Sequence, residues 1–247
     1  MRTTPMKLFE RSKIMMTTRS ATSYKDIQKR CPALFNNSNA LIAIILDEKD
    51  ISDWKDKQQT ALAQNGKNPS WAEIGVVFDD PSIVVLRDLV EFPGGYRNGY
   101  IRIYNRAYLE SGAAGVVVLP EKDGKILLFQ HYRHATRMRH WEIPRGFGKP
   151  GVDAKTQAIA EVKEEINGDV AEIYELGVVY NNTGLEGNPI NLFFARMASV
   201  GEMEIQEGIE NPIWVSVSEL ETMIADGEVT DGFTIAAYTR AKLKGLI

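Results

Sequence analysis

Apolar and polar positions recur with two periods along the chain, and the changes of period mark its elements. Residues 1–38 are polar and aperiodic. The run Ala40-Leu-Ile-Ala-Ile-Ile-Leu46 has strand length and reads as a buried strand. Ser52 is placed to cap a helix over residues 53–64, which Asn65-Gly66 would stop. Asn68-Pro69-Ser70 reads as a linker or turn. From Trp71 strands dominate. Residues 74–78 and 83–92 are rich in Val, Ile and Leu around the turn Asp79-Asp80-Pro81-Ser82. Pro93-Gly94-Gly95 is another turn, and residues 100–104 alternate. Residues 112–119 and 125–132 flank Asp123-Gly124, a hairpin signal. A short strand at 141–144 runs into the glycine-rich loop Arg145-Gly-Phe-Gly-Lys-Pro-Gly151.

Asp153 is placed to cap a helix from Ala154 to about Ile166. Its apolar stripe, Ala158, Ile159, Val162 and Ile166, would face a sheet, with the glutamates on the other side. Strands follow at 171–180, 190–195 and 213–217. A helix at 218–226, capped by Ser216 or Ser218, and a last helix at about 233–244 close the chain. The simplest division is a tail and accessory strand and helix over 1–70, followed by an α/β catalytic-type domain over 71–247.

Composition narrows the classes. With 44% hydrophobic and 25% charged residues in 247, the chain has the profile of a soluble globular protein. A net charge of −4 argues against a nucleic-acid partner. Cys31 is the only cysteine, so no internal disulfide forms, and no Cys/His zinc spacing occurs. No apolar run approaches the roughly 20 residues of a membrane span. The first 20 residues are basic and lack the apolar core of a secretory signal; they read as a disordered tail, although their Arg, Ser and Thr content also fits a mitochondrial-type presequence. Met15 and Met16 leave room for a later start. The location expected is cytoplasmic.

The most telling segment is Ala160-Glu161-Val162-Lys163-Glu164-Glu165. On a helix, Glu161, Glu164 and Glu165 share a face. Folding asks for no such cluster: each like-charged pair costs roughly 0.2–0.5 kcal/mol, and anions near a helix C-terminus oppose the macrodipole. A compensating cation is implied, and hard oxygen ligands suit Mg²⁺ or Mn²⁺. The loop at 145–151 would bring backbone close to a ligand at the rim of this helix.

Here the chain resembles the Nudix hydrolases, whose signature runs G-x5-E-x7-R-E-U-x-E-E-x-G-U with U aliphatic. With its first Gly on Gly146, the helix acids fall on Glu161, Glu164 and Glu165, and U on Val162. Four positions depart: Val152 for Glu, Ala160 for Arg, Asn167 for Gly and Gly168 for U. Val152 and Ala160 replace what would be charge partners, so losing both costs less than losing one; Asp153 adjoins the first. The resemblance extends over about 71–245. The strings Ile126-Leu-Leu-Phe-Gln-His-Tyr-Arg133, Trp141-Glu-Ile-Pro-Arg-Gly146 and Ile213-Trp-Val-Ser-Val-Ser-Glu-Leu, with Asp226-Gly227-Glu-Val-Thr-Asp231, are similar to the ADP-ribose pyrophosphatase branch.

The resemblance implies a mixed sheet between helices and Mg²⁺-dependent attack of water on a nucleoside diphosphate derivative such as ADP-ribose. It implies Glu161 and Glu165 as main metal ligands, Glu164 as a further ligand or base, and the Arg145 backbone carbonyl beside them. Arg133, Arg139, Arg145 and Gly146 would bind substrate, since guanidinium forks suit diphosphate; Arg137 reads as a surface residue. A loop acid is expected as general base. Glu207 is preferred, with Glu210 and Glu186 as alternatives, and the family acid itself aligns with Asn188. His131, His134 and His140 fit no zinc pattern. Trp141 reads as core, and Tyr132 and Tyr180 are weak stacking candidates. The resemblance also implies a homodimer, and an uncovered edge at 40–46 would be an association site. The rival reading is a Nudix-like sensor that binds such a nucleotide without turnover, favoured by Val152 and Ala160.

Overall fold

Ser23 opens the first element of the computed structural model, which describes residues 23–202 and 208–247. The basic N-terminal tail and Glu207 lie outside those residues. The Ser23 hydroxyl accepts from the Asp26 N–H at 3.1 Å and caps α1 (Tyr24–Arg30). This helix and a 3-10 turn at Pro32–Phe35 bury Ile27 and Phe35, although the segment is aperiodic in sequence. The strand expected over 40–46 is only β1 (Ala43–Ile44), because only these two residues find ladder partners, Glu91 and Val90. Leu41, Ile42 and Leu46 are exposed. Helix α2 (Glu48–Gln64) begins before the position expected, with Asp47 rather than Ser52 as cap, and stops at Asn65 as expected.

Strands β2 (Gly75–Asp79), β3 (Ile83–Glu91) and β4 (Arg97–Asn105) complete an antiparallel sheet. β3 is central, with β1 and β2 along one edge and β4 along the other. Helix α3 (Arg106–Ser111), not foreseen, turns the chain away. Ile27, Phe35, Val84, Leu86, Tyr104 and Leu109 form this layer's core. A polar pin crosses it. Asp88, 1% exposed, accepts from Arg102 Nε at 2.5 Å and Nη2 at 3.0 Å, and from the Tyr24 hydroxyl. Burial, then the Asp88 charge, push the Tyr24 pKa far above the usual phenol range, so the hydroxyl remains a donor.

The second sheet holds β5 (Gly115–Lys122), β6 (Lys125–Arg133), β7 (Met138–Glu142), β8 (Arg145–Gly146), then after helix α4 (Ala154–Ile166) β9 (Asp169–Val179), β10 (Ile190–Ser199) and β11 (Ile209–Ser216). Its order is β11-β6-β5-β10-β9, with β7 on β6 and β8 on β5. β5 and β10 are parallel and the other pairs antiparallel. Period-2 patterning feeds both faces. Val117, Leu119, Ile126, Leu128, Leu192 and Phe194 face helices α5 (Val217–Ala225) and α6 (Gly232–Leu243). Val116, Val118, Leu127, Phe129, Phe193 and Ala195 face α4. The mixed α/β sandwich expected from sequence is present. Among the described residues no helix is long and apolar enough to cross a membrane.

Both ends of α4 are set by side chains. Asp153 accepts from the Thr156 N–H at 3.0 Å. Asn167 closes the helix in the left-handed region at φ 45°, ψ 38°, where Asn is the best tolerated residue after Gly. The apolar stripe differs from the expected one. Ala158, Val162 and Ile166 are fully buried, but Ile159 is 39% exposed, and Glu161 and Glu165 are 7% and 6% exposed. Positions 161 and 165 stand three residues after 158 and 162, so they border the buried face instead of opposing it.

Asp88→Asn strands the Arg102 guanidinium, and a loss of about 3 kcal/mol in urea unfolding is expected. Asn167→Gly is expected to gain up to about 1 kcal/mol and Asn167→Val to lose about 1–2 kcal/mol by relief or increase of left-handed strain; urea midpoints of the two variants measure both.

Candidate active site

β5 and β6 pair only near their hairpin, at Glu121 with Ile126 and Lys122 with Lys125. Beyond it they part. β6 takes β7 as neighbour, and β5 takes β8. Residues 138–146 therefore cross from one strand to the other, and the Pro144 carbonyl accepts from the Val118 N–H at 2.9 Å. This crossing lays Arg145 and Gly146 against α4. The Arg145 N–H donates to Glu165 Oε2 at 3.1 Å. A Cβ on Gly146 would overlap the Glu161 carboxyl group, so only glycine admits that side chain. Gln157, one turn earlier and 1% exposed, donates its amide N–H to Glu161 Oε1.

Glu161, Glu165, the Arg145 backbone and Gly146 are thus brought together. Glu164 is not. It faces outward and pairs with Lys149 Nζ at 3.0 Å. Among the described residues no three Asp, Glu, His or Cys side chains converge as a ready metal cage, because one of the three glutamates is held elsewhere. The remaining set still fits a hard divalent cation. Two carboxylates are buried one turn apart beside a backbone with no Cβ, and Gln157 Oε1 is a buried acceptor that no donor among the described residues reaches.

The arginines divide into two groups. Glu142, 1% exposed, accepts from Arg133 Nε at 3.0 Å and Nη2 at 2.5 Å, and pairs with Arg145 Nη2 at 2.8 Å. Arg145 Nη1 reaches Asp231 Oδ1 at 2.9 Å, and Asp231 also caps α6 through the Thr234 N–H. The Arg145 guanidinium lies 5.4 Å from the Phe233 ring centre. Both arginines keep part of their side chains at the surface. Arg139 is set apart, paired with Glu210 and stacked near Tyr132, as is Arg137.

The other expectations resolve locally. His131 lies 3.7 Å from Glu142, His134 meets Arg137, and His140 lies between Thr136 and Thr230, so the three histidines share no centre. Trp141 packs on the core. Asn188 is buried and accepts from the Asn105 N–H at 2.8 Å, tying the two sheets together. Glu186 stands in the same loop, bridged to Ile103 and bonded by Asn181. Val152 is exposed and Ala160 carries no charge, so neither departure strands an ion. A Cβ on Gly168 would come within 2.6 Å of Met197 Cε and 2.8 Å of Val162 Cγ1, which explains a glycine where the signature has an aliphatic residue.

Sequence reading assigned no role to Glu142, Asp231 or Gln157. Asp231 carried a signal, being an acid directly before a helix. Glu142 and Gln157 carried none, since burial is not readable from one polar residue in a strand or helix.

The family model for the NUDIX domain matches residues 110–233. The ADP-ribose pyrophosphatase of Mycobacterium tuberculosis (strain ATCC 25618 / H37Rv) is 25% identical over 154 residues, which cover 61% of this chain and 72% of that protein. The ADP-ribose pyrophosphatase of Bacillus subtilis (strain 168) is 22% identical over 173 residues, 68% of this chain and 89% of that one. A crystal structure of an ADP compounds hydrolase shares the fold, with a TM-score of 0.59 at 19% identity over 69% of this chain and 91% of that chain. The acidic helix beneath Gly146 lies inside the matched segment, and this chain belongs to the Nudix family of hydrolases.

Proposed function

We propose that this chain hydrolyses the diphosphate bond of a nucleoside diphosphate derivative, ADP-ribose or a related nucleotide sugar, to a nucleoside monophosphate and a sugar phosphate. The observation that carries this reading is the gathering of Glu161 and Glu165, buried, under the glycine that follows Arg145. The names of the two curated relatives support the substrate class.

Divalent metals are general in this family, and here Glu161 and Glu165 would hold Mg²⁺, or Mn²⁺ in its place, with the Arg145 carbonyl beside them. Such a cation neutralises diphosphate charge and acidifies water. Glu164 would join the set by leaving Lys149, an exposed pair whose rupture costs little. The chain's own residues do the rest. Arg133 and Arg145, locked in direction by Glu142 and Asp231, present guanidinium edges that orient the anion and stabilise charge as the bond breaks. Glu207 is the proposed general base; Glu210, near the start of β11, is engaged by Arg139. Residues 71–247 are proposed as the catalytic unit, residues 1–70 as an accessory, and the working form as a cytoplasmic homodimer paired through the sheet that carries β1.

The test is release of AMP and ribose 5-phosphate from ADP-ribose with Mg²⁺, for wild type and Glu165→Gln. Wild-type turnover and a loss of at least about 100-fold in the variant, equivalent to about 2.7 kcal/mol in the barrier, are expected. Saturable nucleotide binding with no turnover in either metal would overturn the proposal in favour of a sensor.

A further inference from the structure

Gln157 occupies one of the seven unspecified signature positions before the helix acids, yet it is among the most buried polar side chains of the described residues. Glutamine is seldom buried this deeply without a set of partners. It meets Glu161, one turn along the same face. Only the amide nitrogen can donate to a carboxylate, so the nitrogen points at Glu161 and the oxygen points away from it. That oxygen is then a buried acceptor that no donor among the described residues reaches. Burial without a partner is costly, and in native proteins such a group marks a functional constraint.

The choice of an amide has a consequence. A lysine or arginine at position 157 would fix Glu161 but also cancel its charge. An amide fixes the direction of the carboxylate and leaves its charge for a cation. Ala160, directly before Glu161, offers no side chain to do this from the signature's own arginine position. Gly146 closes the other side, because its missing Cβ is the space the Glu161 carboxyl group fills. Glu161 is therefore held between a backbone surface and a neutral donor.

We infer that Gln157 is a positioning residue for the cation site. Its amide N–H aims the Glu161 carboxylate without cancelling its charge. This rests on the metal-site reading above. A structural glutamine would support folding and leave metal affinity alone. A positioning glutamine changes metal affinity whatever its effect on the metal-free fold.

The experiment is Mn²⁺ titration of the full-length metal-free protein, followed by electron paramagnetic resonance, for wild type, Gln157→Met and Glu161→Gln. Melting temperatures without metal and the KM and kcat for ADP-ribose are measured alongside. Gln157→Met refills the volume without polar atoms. Its Mn²⁺ affinity is expected to fall at least about tenfold, which is 1.4 kcal/mol, with kcat falling more than KM rises. Unchanged affinity with a lowered melting temperature would overturn the role of Gln157 and leave the metal site standing. A wild type that binds no Mn²⁺, or binding untouched by Glu161→Gln, would overturn the metal-site reading and this inference with it. Where Gln157→Met fails to fold, Gln157→Ala decides by the same tenfold criterion.

Discussion

Two like charges are buried one turn apart on α4, and much of the second sheet's geometry serves to hold them. Carboxylates removed from water lose several kcal/mol of hydration each unless donors replace it. The Arg145 N–H serves Glu165 and the Gln157 amide serves Glu161. Both of these donors are neutral. The parting of β5 from β6 makes this possible, because it opens the gap through which residues 138–146 cross to reach the helix. Val118 and Gly146 anchor that crossing from the sheet side.

Arg145 links this backbone role to a second, charged one. Its amide touches α4, while its guanidinium reaches β7 through Glu142 and the start of α6 through Asp231. One residue thus ties together elements from both helical layers. The first sheet uses a related device. Asp88 gathers Arg102 and Tyr24, and Arg102 also lies over the rings of Phe35 and Tyr104 at 5.0 and 5.5 Å. In each case a buried acid fixes arginines whose flexible side chains would otherwise sample many directions. Asp88 stabilises packing between chain segments distant in sequence, and Glu142 sets the directions of Arg133 and Arg145, the latter beside the start of α6.

The departures from the Nudix signature find local causes. Asn167 takes the left-handed position of the missing glycine, and Met197 and Val162 fill the space that an aliphatic side chain at position 168 would need. Val152 and Ala160 lose a charge pair together, which leaves no unpaired ion. These compensations are consistent with a site that retains its helix acids while its supporting loop has drifted.

The apolar runs of β5, β6 and β10 were legible from periodicity, because both faces of those strands are largely buried, whereas β8 reads as loop and β7 begins three residues before the strand expected there. The caps of α4 and α5 were equally legible, since Asp153 and Ser216 act on backbone only three residues away. The acidic triplet and the glycine loop disclosed the site for the same reason, as their spacing is local. What sequence missed depends on partners far along the chain. The apolar run at 40–46 looked like a buried strand, but only Ala43 and Ile44 pair in register with β3, with one further bond from the Ile45 N–H to the Leu89 carbonyl, and α1 hid among polar residues because Ile27 is its one buried residue. Glu164 and Glu161 look alike in sequence. Only the tertiary structure turned one toward Lys149 and water and the other under Gly146, because burial at a helix border is decided by what crosses it, and that backbone comes from the strands before the helix.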